Sequence, residues 1–81
     1  MKINVTKRNI EKGKRKSCGA CPVALALRRT FKVTEVSVAS RIVIFGLSPQ
    51  ACFETPDEVL RFMDRFDRRC KVEPFSFELE V

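Results

Sequence analysis

Between Thr55 and Cys70 the apolar residues Val59, Phe62, Met63, Phe66 and Cys70 fall at i, i+3, i+4, i+7 and i+11, a single face of an α-helix. No other stretch of the chain constrains the fold so tightly. Thr55 stands as an N-cap and Pro56 at the first helical position. Asp57 and Glu58 follow, where the positive end of the helix dipole favours acids. Asp57 with Arg61, and Asp64 with Arg68, form i, i+4 pairs on the opposite, wet face. A helix with one apolar stripe must be covered by a second layer.

Strand patterns supply much of that layer. Lys2-Ile3-Asn4-Val5-Thr6 alternates polar and apolar residues and reads as a half-buried strand. Thr6 is placed to cap a brief helical turn over Lys7–Lys12, which Gly13 stops. Pro22 opens a further helix over Val23–Lys32, with Ala20, Ala24, Leu27 and Phe31 recurring at helical spacing and Arg28, Arg29 and Lys32 complementing the dipole at its end. Val36–Val38 and Arg41–Phe45 read as a hairpin turned at Ala39-Ser40. Gly46 and Ser48-Pro49 mark the next turn, and Gln50–Glu54 reads as a third short strand of this region. Phe75, Phe77, Leu79 and Val81 share one face of a last strand, with Glu78 and Glu80 on the other. The order β-α-β-β-(β)-α-β predicts an α+β fold: a small, mainly antiparallel sheet of four to five strands, with two helices packed on one face.

At 81 residues the chain is expected to form one compact domain, 1–81. It has no apolar run of the ~18–20 residues needed to span a bilayer, and its N-terminus has no export-signal pattern. The expected setting is cytoplasmic, with no membrane partner.

Charge is unevenly placed. The formal total is +6. Residues 1–32 hold ten basic residues and one acid, whereas residues 33–81 hold six basic and nine acidic ones. A basic front on a mildly acidic body calls for an anionic partner. The focus is Lys12-Gly13-Lys14-Arg15-Lys16-Ser17-Cys18-Gly19-Ala20-Cys21, four cations just upstream of a helix start built from small residues. Free N–H groups at such a start, with Ser17, Gly19 and Ala20 allowing close approach, describe an anion site. The candidate binding residues are therefore Lys12, Lys14, Arg15, Lys16, Ser17, Cys18 and Gly19, flanked by Arg28 and Arg29. The plainer alternative is a solvated basic loop. The order G-x-x-x-x-G-K-[ST] of a phosphate-binding P-loop is absent, and no cofactor is implied.

The chain lacks histidine, which removes the usual general base, the usual neutral-pH switch and the commonest metal ligand together. The expectation is a protein that binds and does not catalyse. It also lacks Trp and Tyr, and all seven Phe have core or sheet positions, so stacking on single-stranded nucleic acid has little to rest on. Direct nucleic-acid binding through the backbone phosphates stays open.

Four cysteines permit other chemistry. Cys18-x-x-Cys21 is half of a zinc-ribbon signature whose second pair is missing. Cys52 and Cys70 complete a four-cysteine site only by converging from a strand and a helix end. Cys70 equally completes the apolar face of its helix as a buried thiol. Thiols at a helix start near Lys14, Arg15 and Lys16 are expected to have depressed pKa values, the basis of a redox reading. A thioredoxin-type site, however, follows a strand, and here a basic loop precedes the pair. The local expectation is that Cys21 packs under the helix start and Cys18 stays partly exposed.

The segments Cys18-x-x-Cys21-Pro22-Val23-Ala24-Leu25-Ala26-x-Arg28 and Val72-Glu73-Pro74-Phe75-x-Phe77-Glu78-Leu79 resemble a group of short phage, prophage and bacterial proteins that carry no established activity. Cys52 and Cys70 lie outside the shared pattern. The resemblance implies a phage accessory protein, whose usual roles are blocking host defence or redirecting a host complex. The first expectation is a non-enzymatic binding protein that blocks a host defence system, as many anti-CRISPR proteins do. Its partner would be an acidic surface of a host protein complex or a phosphate-bearing nucleotide ligand. The alternatives are a small basic nucleic-acid-binding regulator, and a cysteine-based zinc or thiol-redox module. An open edge, at the first strand or at Gln50–Glu54, would also allow homodimerisation.

Overall fold

The computed structural model describes residues 1–46 and 51–80. The expected turn at Ser48-Pro49, Gln50 of the third hairpin-region strand, and Val81 lie outside the described residues.

The elements run β1 (Lys2–Val5), α1 (Lys7–Lys12), α2 (Pro22–Phe31), β2 (Val36–Val38), β3 (Arg41–Ile44), β4 (Ala51–Glu54), α3 (Asp57–Asp67) and β5 (Phe75–Glu78). The fold is α+β and all strand pairing is antiparallel. Among the described residues five strands are divided over two small sheets, one ordered β1-β5 and the other β2-β3-β4. Local pattern shows that a segment is extended, but not which partner it finds. Here the first strand pairs with the last, Ile3 opposite Phe77 and Val5 opposite Phe75. β1 and β4 are both edge strands.

The two sheets are bridged by α2, which packs against β1 of one sheet and β2 of the other and also against α1. Helical spacing marks one face of α2 as apolar, yet Val23, Ala24, Ala26 and Leu27 are all buried, because neighbours approach from more than one side. α3 contributes Val59, Phe62 and Phe66 to the same core, joined by Ile42 and Ile44 of β3 and Phe77 of β5. Burying each such side chain stabilises the fold by about 1.5–3 kcal/mol relative to exposure.

Local signals set the helix ends with two exceptions. Thr6 and Asn9 form a reciprocal capping box on α1: the Asn9 N–H donates to Thr6 Oγ1 at 3.3 Å, and the Thr6 N–H donates to Asn9 Oδ1 at 2.9 Å. α2 begins at Pro22 and stops at Phe31, with Lys32 outside it as a left-handed cap at φ 55°. α3 is capped differently from expectation. Pro56 is its N-cap residue, and the hydroxyl of Thr55 turns away to donate to Ala39 O at 2.6 Å, fastening the β2–β3 turn. α3 also ends three residues before Cys70. The N–H of Arg69 donates to Phe66 O and that of Cys70 to Arg65 O, the crossed pair of a Schellman ending, with Arg69 left-handed at φ 64°. Cys70 therefore leaves the apolar face and is exposed, not buried. Of the two wet-face pairs, Arg68 Nε lies 3.2 Å from Asp64 Oδ1, while Asp57 and Arg61 form no ion pair.

Gly13 is where α1 and the start of α2 meet most closely. A Cβ at this position would lie 2.6 Å from the Pro22 ring, and Pro22 is fully buried. Gly13→Ala is expected to cost about 1–3 kcal/mol through this overlap. A thermal melt should show the midpoint fall by about 4–8 °C for each kcal/mol.

Candidate functional site

The loop between α1 and α2 carries the basic cluster, and its backbone is fastened at several points. The Lys14 N–H donates to Ala20 O at 2.8 Å, and the Ala20 N–H donates to Ser17 Oγ at 3.1 Å, closing the loop on itself. Val38 N–H donates to Cys18 O at 2.9 Å, tying the loop to β2. Lys16, left-handed at φ 55°, donates its N–H to Asp67 Oδ1 at 2.8 Å.

Arg15 reaches the same helix end. Its Nε donates to Phe66 O at 3.2 Å and its guanidinium lies 5.2 Å from the centre of the Phe66 ring. A cation there satisfies an end carbonyl and complements the negative end of the α3 dipole. Arg15 thus belongs to the architecture. Lys12, Lys14 and Lys16 instead present exposed side chains. Gly19 is exposed beside Val36 O, Arg28 is half-buried, and Arg29 donates from Nη2 to Asn4 O at 3.1 Å.

The anion site expected at the helix start is closed by the fold. Pro22 has no N–H to offer, and Pro22, Val23 and Ala24 are fully buried. Cys21 is the N-cap residue, its Sγ accepting from the Ala24 N–H at 3.4 Å. The sulfur fills the position an anion would take. Only tertiary packing covers this turn, so spacing alone could not reveal it.

Burial also overturns the expectation of a depressed thiol pKa at Cys21. Desolvation pushes the thiol up from its ordinary value of 9.0, outweighing the hydrogen bonds from Ala24 and Val23, and the carboxylate of Asp67 pushes it further the same way. The charge this thiol feels most is an acid fixed by Lys16, not the lysines. Cys18, Cys52 and Cys70 are exposed and Cys21 is buried; all four are free. Among the described residues no three Cys, Asp or Glu side chains come together in a metal-ligating group, so the four cysteines do not converge. A cleft of about 230 Å³ beside the loop is lined by Lys16, Cys18, Met63 and Asp67 among others. Among the described residues no helix is long and apolar enough to cross a membrane.

Sequence reasoning missed a second surface. α3 and the segment that follows it enclose a groove of about 600 Å³, lined on the helix by Arg61 and Arg65 and across from them by Lys71. Its sequence signal was the i, i+4 spacing of Arg61 and Arg65, masked by the acids interleaved with them.

Comparison of the chain with protein-family models, with curated proteins and with solved structures finds no match. The fold and its two charged surfaces define a small α+β protein with a basic loop pinned to a helix end.

Arg15→Ala should destabilise the protein by about 1–2 kcal/mol, through loss of the helix-end bond and the ring contact. Lys14→Ala should leave a denaturant midpoint nearly unchanged. For Cys21, the folded pKa lies above the unfolded one, so its contribution is fully present below pH 9.0 and is lost as pH rises through the folded value. Cys21→Ser keeps an N-cap acceptor and should flatten this alkaline loss in pH-dependent unfolding. A disulfide-reagent titration of the native protein should label three thiols quickly and Cys21 only on unfolding.

Proposed function

We propose that this chain is a non-enzymatic binding protein whose basic loop engages an acidic surface of a host protein complex. The setting we propose is the one its resemblance to short phage and prophage proteins implies: an accessory protein that blocks a host defence system. The observation that carries the reading is electrostatic. Among the described residues the ion pairs within 4.0 Å are Met1 N with Glu78 and Arg68 with Asp64. The ten Lys and Arg of residues 1–32 have no such partner there, so their field is left for another molecule. A loop held rigid by its backbone presents Lys12, Lys14 and Lys16 with little ordering cost on association.

Two observations favour a protein surface over a phosphate at the loop. The first-turn N–H groups that would cradle a phosphate are buried or already taken by Cys21. No aromatic side chain stands exposed among the loop's cations for a base to stack on.

The test is Lys12→Glu, Lys14→Glu and Lys16→Glu combined, which spares Arg15 and its helix-end contact. The variant should fold, by circular dichroism and melting point, and should lose protection of an infecting phage in a defence-competent host. Binding of the wild type to the responsible complex should weaken as salt rises toward 1 M, where the screening length falls to about 3 Å. Undiminished protection and binding by the triple variant would falsify the reading. Steep salt-dependent shifts of random duplex DNA by the wild type, abolished in the same variant, would instead identify the basic regulator.

A further inference from the structure

The groove beside α3 is polarised along its length. The N–H of Cys70 donates to Arg65 O at 2.9 Å, so the outgoing segment starts alongside Arg65. It then runs back along the helix until the Phe75 ring sits 4.7 Å from the Phe62 ring. Lys71 therefore lies at the Arg65 end, one turn of helix beyond Arg61. Glu58 lines the groove one helical turn before Arg61, Glu73 lies on the outgoing segment between Lys71 and Phe75, and Val72, Phe62 and Phe75 supply the apolar surface. Phe75 is half-buried, packs at 4.7 Å against the Phe62 ring and at 5.8 Å against the Phe77 ring, and lines the groove with what remains. None of the three cations pairs with a carboxylate among the described residues.

We propose that this groove binds a nucleotide, with the phosphate at Arg61, Arg65 and Lys71 and the base against Phe75 and Val72. The chemistry is complementary at each part. Two guanidinium forks one helical turn apart, with an ammonium opposite, match the oxygens of a phosphate. The aromatic and aliphatic floor offers a stacking surface, and a volume near 600 Å³ suits a ligand of nucleotide size. The carboxylate of Glu58 repels a phosphate from its end and accepts hydrogen bonds from an amino-bearing base edge. The ligand is thereby oriented, and adenine, guanine or cytosine is favoured over uracil. This site is separate from the basic loop and does not depend on the reading of that loop.

The probes are AMP, GMP, CMP, UMP, ribose 5-phosphate and inorganic phosphate, titrated against the labelled full chain by NMR. The three amino-bearing nucleotides should bind at least about tenfold more tightly than ribose 5-phosphate, the advantage that stacking on one aromatic ring confers. Shifts should centre on Arg61, Arg65, Lys71 and Phe75. Arg65→Glu with Lys71→Glu should weaken binding by roughly tenfold or more. Phe75→Leu keeps the core filled and should remove most of the base-dependent advantage while phosphate binding persists. Circular dichroism checks that each variant folds, and the triple lysine variant of the loop should bind nucleotide within about twofold of the wild type. A single-stranded tetranucleotide that binds no more tightly than its mononucleotide identifies a free nucleotide as the occupant; a much tighter one identifies a strand. Nucleotides that bind no better than ribose 5-phosphate, or binding that survives Arg65→Glu with Lys71→Glu in folded protein, would overturn the proposal.

Discussion

The burial of the first turn of α2 is the constraint on which the remainder of the molecule turns. Pro22 packs into the space Gly13 leaves, Val23 and Ala24 are fully buried, and Cys21 caps the turn with its own sulfur. From this seat α2 reaches both sheets, touching β1 and β2. A three-stranded and a two-stranded sheet this short would be marginal alone. α2 lies against both and they share one core, with β1 packed on α2 and paired in turn with β5.

The same burial decides what the basic loop can do. An open helix start would make these residues a phosphate cradle; a closed one turns the loop into a bracket between α2, β2 and the end of α3. Arg15 and the Lys16 amide are committed to that bracket, one through Phe66 and one through Asp67. What remains for a partner is the side-chain charge of Lys12, Lys14 and Lys16, long flexible ammonium groups suited to a broad acidic surface more than to a single planar anion. The Cys18–Cys21 pair, which looks reactive on paper, is divided by the fold. Cys18 is outside and Cys21 is sealed beside a carboxylate that disfavours its thiolate.

Charge in this protein is therefore placed twice. The front carries ten Lys and Arg against one acid, none of the ten in an ion pair among the described residues, and α3 carries cations interleaved with acids around an apolar groove. The first arrangement suits long-range attraction and is screened by salt; the second suits orientation of a small, polar-ended ligand at contact. They are carried by different side chains, the lysines of the loop and the arginines of α3, although the loop backbone is fastened to the end of α3.

The presence and type of the elements are legible in the sequence because they rest on local physics. Alternation at Ile3 and Val5, the cap at Thr6, Pro22 at a helix start and the stripe Val59, Phe62, Phe66 all act within a few residues of themselves. The uneven charge was equally plain. What escaped is everything that depends on who meets whom. The pairing of β1 with β5 joins opposite ends of the chain, and it separates five strands into two sheets. Local spacing makes Thr55 a cap, but the carbonyl of Ala39, sixteen residues away, holds its hydroxyl. Helical spacing puts Cys70 on the α3 stripe, yet a left-handed Arg69 ends the helix first. The loop cations read alike in sequence, and only the approach of α3 separates Arg15, bound to a helix end, from Lys14, left to solvent. Composition and period thus determined a small α+β protein with a basic front. Tertiary contact alone decided which charges are free, because a side chain's availability depends on neighbours brought from distant sequence.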